Sequence, residues 1–353
     1  MQTPEGGPPP HSPTVPTAGT RVVVRHRLPA PDALTGATLT DVVGVLVHAD
    51  DEHLLVRTRR GEVGVPRAAV TAVKEVPPTP SRRGAPHLAL SVEDLQRVMV
   101  GAWPAVETEH LGDWLLRAAD GFTHRANSVM TAGDPGRTLA EAVDVVEDWY
   151  RARSLPPALT LAGPVGFELA GDPLGALLLA RRYHPRVPTT TLTAAVATVL
   201  EVAPTSSAVA VTTSTRLSDT WFAAYEGYRE APAGPARAVL TGSPEQVFAT
   251  ATDGGRVVGV GRLGVAATWG GVAAMWVDLS ARRRGVARAL LTALADEAHR
   301  RGIRSLHLQT DTDNAAAQAL YRGAGFVPHH EYVTLTLARH RPAGRVREPS
   351  SCR

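Results

Sequence analysis

Apolar residues in this chain of 353 amino acids recur at every second position in some blocks and at every third and fourth in others. The change of period separates strands from helices. Between residues 20 and 76 the runs "RVVVRHR", "TDVVGVLVHA", "EHLLVRTR", "GEVGVP" and "VTAVKEV" are short, Val-rich and divided by turn residues. Such spacing predicts a small antiparallel barrel of SH3-like size. Residues 1–19 are rich in Pro and Gly and are expected to be disordered, and "PPTPSRRGAP" at 77–86 reads as a linker.

Residues 87–203 mix the two periods. "SVEDLQRVMVGAW" reads as a helix and "DWLLRAADGFTHRANSV" as a hairpin. "LAEAVDVVEDWYRAR" puts Leu139, Val143, Val146 and Tyr150 on one helical face. A strand "PALTLA", a helix "DPLGALLLARRY" and a closing strand "TTTLTAA" follow. Residues 208–340 run in a similar order: strand "AVAVTT", helix "SDTWFAAYEGYR", a hairpin turning at Asp253, Gly254 and Gly255, strand "VAAMWVDL", then a helix with Leu290, Leu291, Leu294 and Ala298 on one face. "RSLHLQT", a helix from Asn314 and "YVTLTLA" complete the unit, and 341–353 form a disordered tail. The fold class is mixed α/β (α+β), with two units of matching order that indicate an internal duplication.

Composition narrows the function. The formal net charge of +3 gives no reason to expect nucleic acid as partner. The one cysteine, Cys352, excludes an intramolecular disulfide framework or a cysteine metal cluster. None of the thirteen histidines has metal-ligand spacing, so no metal is expected; His329 and His330 read as an exposed pair after the "GF" turn. The start of the chain lacks the pattern of a secretion signal and no segment has membrane-spanning length, which predicts a cytoplasmic protein. The barrel has no Phe, Trp or Tyr between Arg21 and Val76, so it fits a packing or homodimerisation module better than a recognition module.

One helix start breaks the usual rule. "DLSARRRGVARALL" at 278–291 crowds arginines where acids or hydroxyls belong and places Gly285 in the first turn, at a cost of about 1 kcal/mol against alanine. Both choices make sense if the orphan N–H groups there hold an anion, with a missing side chain letting it come close.

"VDLSARRRGVARALL", followed by "LHLQTDTDNAAAQALYRGAGF", resembles the acetyl-CoA-binding core of the GCN5-related N-acetyltransferases (GNAT). The phosphate loop of that family, Gln/Arg-x-x-Gly-x-Gly/Ala, is matched by Arg282, Gly285 and Ala287. Its Asn-x-x-Ala-x-x-Leu-Tyr-x-x-x-Gly-Phe pattern is matched at Asn314, Ala317, Leu320, Tyr321, Gly325 and Phe326. The whole chain resembles an actinobacterial subgroup with a small barrel before tandem acetyltransferase-like units.

The resemblance implies one acetyl-CoA, held by Arg282, Arg283, Arg284, Gly285, Val286, Ala287 and Arg288, by the main chain of Met275 and Val277, and by Asn314. It implies direct acetyl transfer to a primary amine of a small molecule or peptide, with the Val277 N–H polarising the thioester carbonyl and Tyr321 as general acid; a core aromatic beside Phe326 fits Tyr321 as well. Gln309 stands where some relatives carry a glutamate base, and an amide cannot accept that proton. The first unit has "TAGDPGRTLAE" in place of a phosphate loop, with Leu178 where Tyr321 stands and Gly171 where Asn314 stands, so it is expected to bind no CoA and to shape the acceptor cleft. Arg117, Arg125 and Asn127 are candidate lining residues. Trp221, Tyr225, Glu226 and Tyr228 are the expected wall, with Glu226 and Asp219 drawing in a cationic amine. The alternative is a non-catalytic acyl-CoA sensor or scaffold acting through the barrel, which acetyl transfer to any amine would exclude.

Overall fold

The computed structural model describes residues 16, 21–31, 36–58, 61–75, 86–202, 209–228 and 232–337. The expectations for residues 1–15, 77–85 and 341–353, Cys352 included, lie outside these. The chain divides into two compact units, Met1–Arg82 and Arg83–Arg353.

In the first unit, alternating Val22, Val24, Leu46, Leu54, Val56 and Val65 bury one face of five antiparallel strands, β1 (Arg21–Arg27), β2 (Leu39–Ala49), β3 (His53–Thr58), β4 (Gly61–Pro66) and β5 (Val70–Glu75). Their order is β4-β3-β2-β1-β5. The expected barrel is not closed: no β4–β5 pairing occurs among the described residues. A single 3-10 turn, Arg67–Ala69, carries the chain from β4 to β5, which pairs with β1 instead.

The second unit opens with α1 (Val92–Ala102), where the Ser91 side chain caps the helix by accepting from Asp94 N–H at 3.0 Å. A tight hairpin, β6 (Glu107–Leu111) and β7 (Trp114–Ala118), follows. The hairpin expected around residues 119–128 is only a brief contact, since β7 meets the two-residue β8 (Val129–Met130) at one pair, Leu115 and Met130. Next come α2 (Leu139–Ala152), β9 (Ala158–Gly163), α3 (Pro173–Ala180), β10 (His184–Pro185), β11 (Thr189–Ala195) and α4 (Val196–Glu201). Residues 209–337 add β12 (Ala210–Ser214), α5 (Asp219–Glu226), α6 (Ala233–Thr241), β13 (Glu245–Asp253), β14 (Arg256–Ala266), β15 (Trp269–Val277), α7 (Val286–Arg300), β16 (Ser305–Asp311), α8 (Ala315–Arg322) and β17 (Val327–Thr336). Sequence reasoning missed α6, although Pro232 before it, Gly242 after it and buried Ala236, Val239 and Leu240 are its signature.

These strands form one sheet, β12-β13-β14-β15-β16-β11-β17-β9-β8-β7-β6, with β10 against β17. The strand read as closing the first half, β11, lies between β16 and β17 of the second, and β17 in turn pairs with β9. Each half keeps a parallel pair joined by a crossover helix, β8 and β9 around α2, β15 and β16 around α7. The duplication also persists locally: Tyr183 N–H donates to Leu178 C=O at 2.9 Å, as Phe326 N–H does to Tyr321 C=O at 3.0 Å.

The exposed His329–His330 pair is corrected. Both lie in β17, under α1, and His330 is fully buried. Gln96 Nε2 donates to His330 Nε2 at 2.7 Å, which leaves His330 Nδ1–H for His329 Nδ1 at 2.9 Å and His329 Nε2–H for Leu90 C=O at 3.1 Å. The chain of donors fixes neutral tautomers throughout. Desolvation, with the neighbouring histidine charges, pushes His330 down to about 3; desolvation, then the Arg125 charge, does the same to His307 on β16.

Two outcomes follow from this packing. Residues 86–337 should unfold in one cooperative transition, whereas residues 209–337 alone, with β16 and β17 exposed as unpaired edges, should lack near-ultraviolet circular dichroism and aggregate. The unfolded imidazoles take up protons near pH 6.5 and the folded ones only near pH 3. Stability should therefore hold at neutral pH and fall as pH drops from 6.5, by roughly 1 kcal/mol per unit for each ring. Urea unfolding at pH 7 and pH 5, with His307→Leu reducing the difference, checks this.

Candidate functional site

The site begins where two parallel strands part. β15 and β16 pair from Trp269 with Ser305 to Val272 with Leu308 and no further. Beyond that point β15 carries a bulge: its register against β14 shifts between Val260–Trp276 and Arg262–Ala273, and Ala274 sits at φ +52°. A non-glycine residue there costs about 1 kcal/mol or more, and such bulges re-aim main-chain groups next to sites. Asp278 N–H bonds Val258 C=O at 2.9 Å, and Trp276 pairs with Val260. By the two-residue alternation of an antiparallel ladder, Val277 directs its N–H away from β14, to the side that β16 has vacated.

After β15 the chain turns through Arg282–Gly285 into α7. Arg283 at φ +62° and Gly285 at φ +81° take left-handed conformations, and Gly285 is the cap residue. No side chain caps α7, its first turn contains no acid, and no atom lies within 4 Å of where a Gly285 Cβ would stand. The N–H groups at the start of α7 thus face open space with the positive end of the helix dipole behind them, a fit for a pyrophosphate. The arginines have structural work as well. Arg282 Nε donates to Val277 C=O at 3.3 Å, Arg284 pairs with Asp253 at 2.9 Å, and Arg288 Nη2 donates to Gly323 C=O at 3.0 Å. Val286 is buried in the core. The first half differs at the same place: Thr138 and Glu141 form a capping box that occupies the N–H groups at the start of α2.

Between the parted strands lies a cavity of about 400 Å³ lined by both halves. Met275, Gln309, Asn314 and Tyr321 come together in its wall with Tyr225 and Tyr228. Asn314 also caps α8, its Oδ1 accepting from Ala317 N–H at 3.1 Å. The first half contributes Arg125, which donates from Nη1 to Gln309 Oε1, along with Trp103, Thr123 and His124; β11 contributes Thr189 and β17 Tyr332. Of these first-half and β17 residues, sequence reasoning reached only Arg125, because strand exchange leaves no local signal.

Several expected lining residues stand elsewhere. Trp221 is fully buried behind Tyr225, stacked at 5.5 Å, with Nε1 donating to Ala249 C=O at 3.0 Å. Glu226 is exposed outside the cavity, and Asp219 is paired with Arg237 at 2.7 Å. Arg117 is buried, donating to Ser128 C=O at 2.8 Å, and desolvation pushes its guanidinium down to about 10. Asn127 folds the loop that delivers Arg125: Oδ1 accepts from Ala119 and Gly121 N–H, and Nδ2 donates to Phe122 and Thr123 C=O at 2.8 Å.

Replacing Gly285 by Val should weaken acetyl-CoA binding by at least about tenfold, the worth of one charge-assisted hydrogen bond, because a β-branched residue resists φ +81° and covers the N–H groups. The added atoms meet nothing, so the melting temperature should fall only by what the left-handed backbone at φ +81° costs, about 1–2 kcal/mol. Calorimetric titration alongside a melting curve checks both.

Residues 91–335 match the family described as "Probable histone acetyltransferase Rv0428c C-terminal", and residues 16–74 match "Rv0428c N-terminal Sm-like domain". The Mycobacterium tuberculosis protein named probable histone acetyltransferase Rv0428c is 34% identical over 161 residues, 44% of this chain and 49% of that protein, so the match spans about half of the relative's length. The uncharacterized N-acetyltransferase YobR of Bacillus subtilis is 27% identical over 249 residues, 68% of this chain and 96% of its own. Among solved structures, a tandem GNAT protein from the clavulanic acid biosynthesis pathway aligns with TM-score 0.51 and 15% identity over 73% of this chain and 90% of that one. A GCN5-related N-acetyltransferase from Kribbella flavida aligns with TM-score 0.50 and 18% identity, covering 69% and 95%. These likenesses are of fold. The family model that matches residues 91–335 places the chain in the Rv0428c-like acetyltransferase family, an Sm-like domain followed by a GNAT-like acetyltransferase region.

Proposed function

We propose that the second unit moves an acetyl group from acetyl-CoA directly to a primary amine, using one cosubstrate site. The observation that carries this reading is the opening between β15 and β16 beside the uncapped start of α7. The N–H groups after Gly285 hold the pyrophosphate, and the main chain of Met275 to Val277 offers the pantetheine arm the pairing that β16 gives up. The Val277 N–H polarises the thioester carbonyl. With its first turn closed by Thr138 and Glu141, α2 offers no equivalent site.

Transfer forms the amine nitrogen–carbon bond and breaks the carbon–sulfur bond. The Tyr321 hydroxyl gives its proton to the departing sulfur. Desolvation pushes this phenol up to about 12 against the opposing pull of the Arg125 charge, so it stays protonated and able to donate at neutral pH. Gln309 accepts no proton, and its Oε1 is engaged by Arg125. The amine therefore attacks in its neutral form, and the proton its nitrogen sheds on becoming an amide passes to water, from which the Tyr321 phenolate is reprotonated.

Free CoA release across an array of amines tests the activity, and a rate no higher than hydrolysis for all of them would end this reading. Tyr321→Phe should lower kcat by about 10²- to 10⁴-fold with acetyl-CoA affinity and melting temperature unchanged. Loss of affinity or stability with kcat intact would make Tyr321 a packing partner of Phe326, whose ring lies 6.0 Å away. Because an acid with a pKa of about 12 stays protonated below that pH, the kcat profile should show no alkaline fall between pH 8 and 11 attributable to it.

A further inference from the structure

The acceptor end of the cavity carries more positive than negative charge among the described residues. Arg125 is half-buried there, its guanidinium 4.9 Å from the Trp103 ring centroid and one Nη1–H spent on Gln309. It forms no ion pair with any carboxylate among the described residues. Arg262 lies 5.4 Å from the centroid of the same Trp103 ring and is wholly buried. Its partners are neutral: Leu240 C=O at 2.7 Å, Ala102 C=O at 2.8 Å and Ser243 Oγ at 2.6 Å. Arg117, behind the loop, also has neutral partners in Ser128. Burial and then the Arg125 charge push Arg262 down to about 9, the mark of cations crowded in a poorly solvated place. The cavity lining adds, at an exposed position, Arg186; its one carboxylate among the described residues is Asp311, which accepts from Thr189 Oγ1 at 3.1 Å.

CoA phosphates do not account for this charge. Arg125 touches Gln309, the first residue past the point where the strands part, whereas the phosphate-binding turn follows Val277 at the far end of β15. The stretch from Val272 to Val277 spans about 15 Å. Two cationic ends of one opening call for two anions. A guanidinium fixed on an aromatic ring, with N–H donors left over, matches a planar carboxylate.

We propose that the acceptor is an amine that bears a carboxylate, such as an amino acid, and that Arg125 binds this group. The inference rests on the acetyl-transfer reading for its chemistry and reverses the cationic acceptor expected from Glu226 and Asp219. A lysine-rich peptide would meet like charge at the same place.

The test uses the full chain, saturating acetyl-CoA and matched acceptors: glycine, L-leucine, L-phenylalanine and L-aspartate, the α-amide of each, the decarboxylated amines, and a lysine-rich histone peptide. CoA release gives kcat/KM, and tryptophan fluorescence in the presence of CoA gives binding. At least one free acid should exceed its own amide by about 10- to 100-fold in kcat/KM. Arg125→Gln should erase that preference by raising KM for the acid, with acetyl-CoA KM unmoved, and Arg125→Lys should restore part of it. Amides, decarboxylated amines or the histone peptide performing as well as the acids would overturn the proposal, as would an Arg125→Gln loss that is equal for acid and amide. Carboxylate-dependent binding without turnover would uphold the anion site and end the transfer reading. Neither binding nor turnover would end both.

Discussion

Everything in the second unit depends on the hydrogen-bond ladders of one strand, β11. Thr189 to Ala195 pair in register with Asp311 to Ser305 on one side, and Thr189 to Thr193 pair with Tyr332 to Val327 on the other. Seven residues from the first half thus fill a gap in the sheet of the second. The ladder fuses two cores, one around α7 and the other around α2, and it aligns Thr191 between Gln309 and His330. It also brings the end of the first half to the wall of the cavity, where Thr189 stands.

Within that frame the two crossover helices show how small changes separate an open helix start from a capped one. Each lies between a strand and that strand's parallel partner. Thr138 and Glu141 satisfy the start of α2 from within, and Thr138 N–H donates to Glu141 Oε2 at 3.1 Å in return. Gly285 leaves the start of α7 open, at a position where the backbone is left-handed and a side chain would be strained. A capped helix is more stable by itself by about 1 kcal/mol. The uncapped one leaves its N–H groups without a side-chain acceptor. The bulged Ala274 is a second local cost close by, and both sit along the opening between β15 and β16.

The buried arginines have a similar logic. Arg262 ties Leu240, at the end of α6, to Ala102, at the end of α1, with Ser243 between them, so its charge holds the two halves in contact through neutral acceptors. Removing an acid from such a place leaves the charge free to act at a distance in a low-dielectric setting. The same interactions that pack the first half against the second therefore bring two guanidinium groups, those of Arg125 and Arg262, against the Trp103 ring.

The sequence by itself determined whatever short-range physics governs. Period-two runs located β1 to β5, the 3.6-residue face located α2 and α7, and the matched spacing around Gly285, Asn314 and Tyr321 marked the open turn before α7 and the helix α8, because a turn and its helix are contiguous in the chain. The facing wall of the cavity, from the first half, was legible only at Arg125. Glu226 lies on an amphipathic helix whose exposed face cannot be told from a cleft wall by periodicity, and Trp221 and Arg117 have residue types that suit a pocket or a core equally. His330 reads as a loop residue until β11 and β9 are known to flank its strand and α1 to cover it. Which strand pairs with which is set by register and burial summed over the whole sheet. Only the tertiary structure could decide that β11 crosses into the second half, that Arg125 meets Gln309, and that both stand in the wall of one cavity.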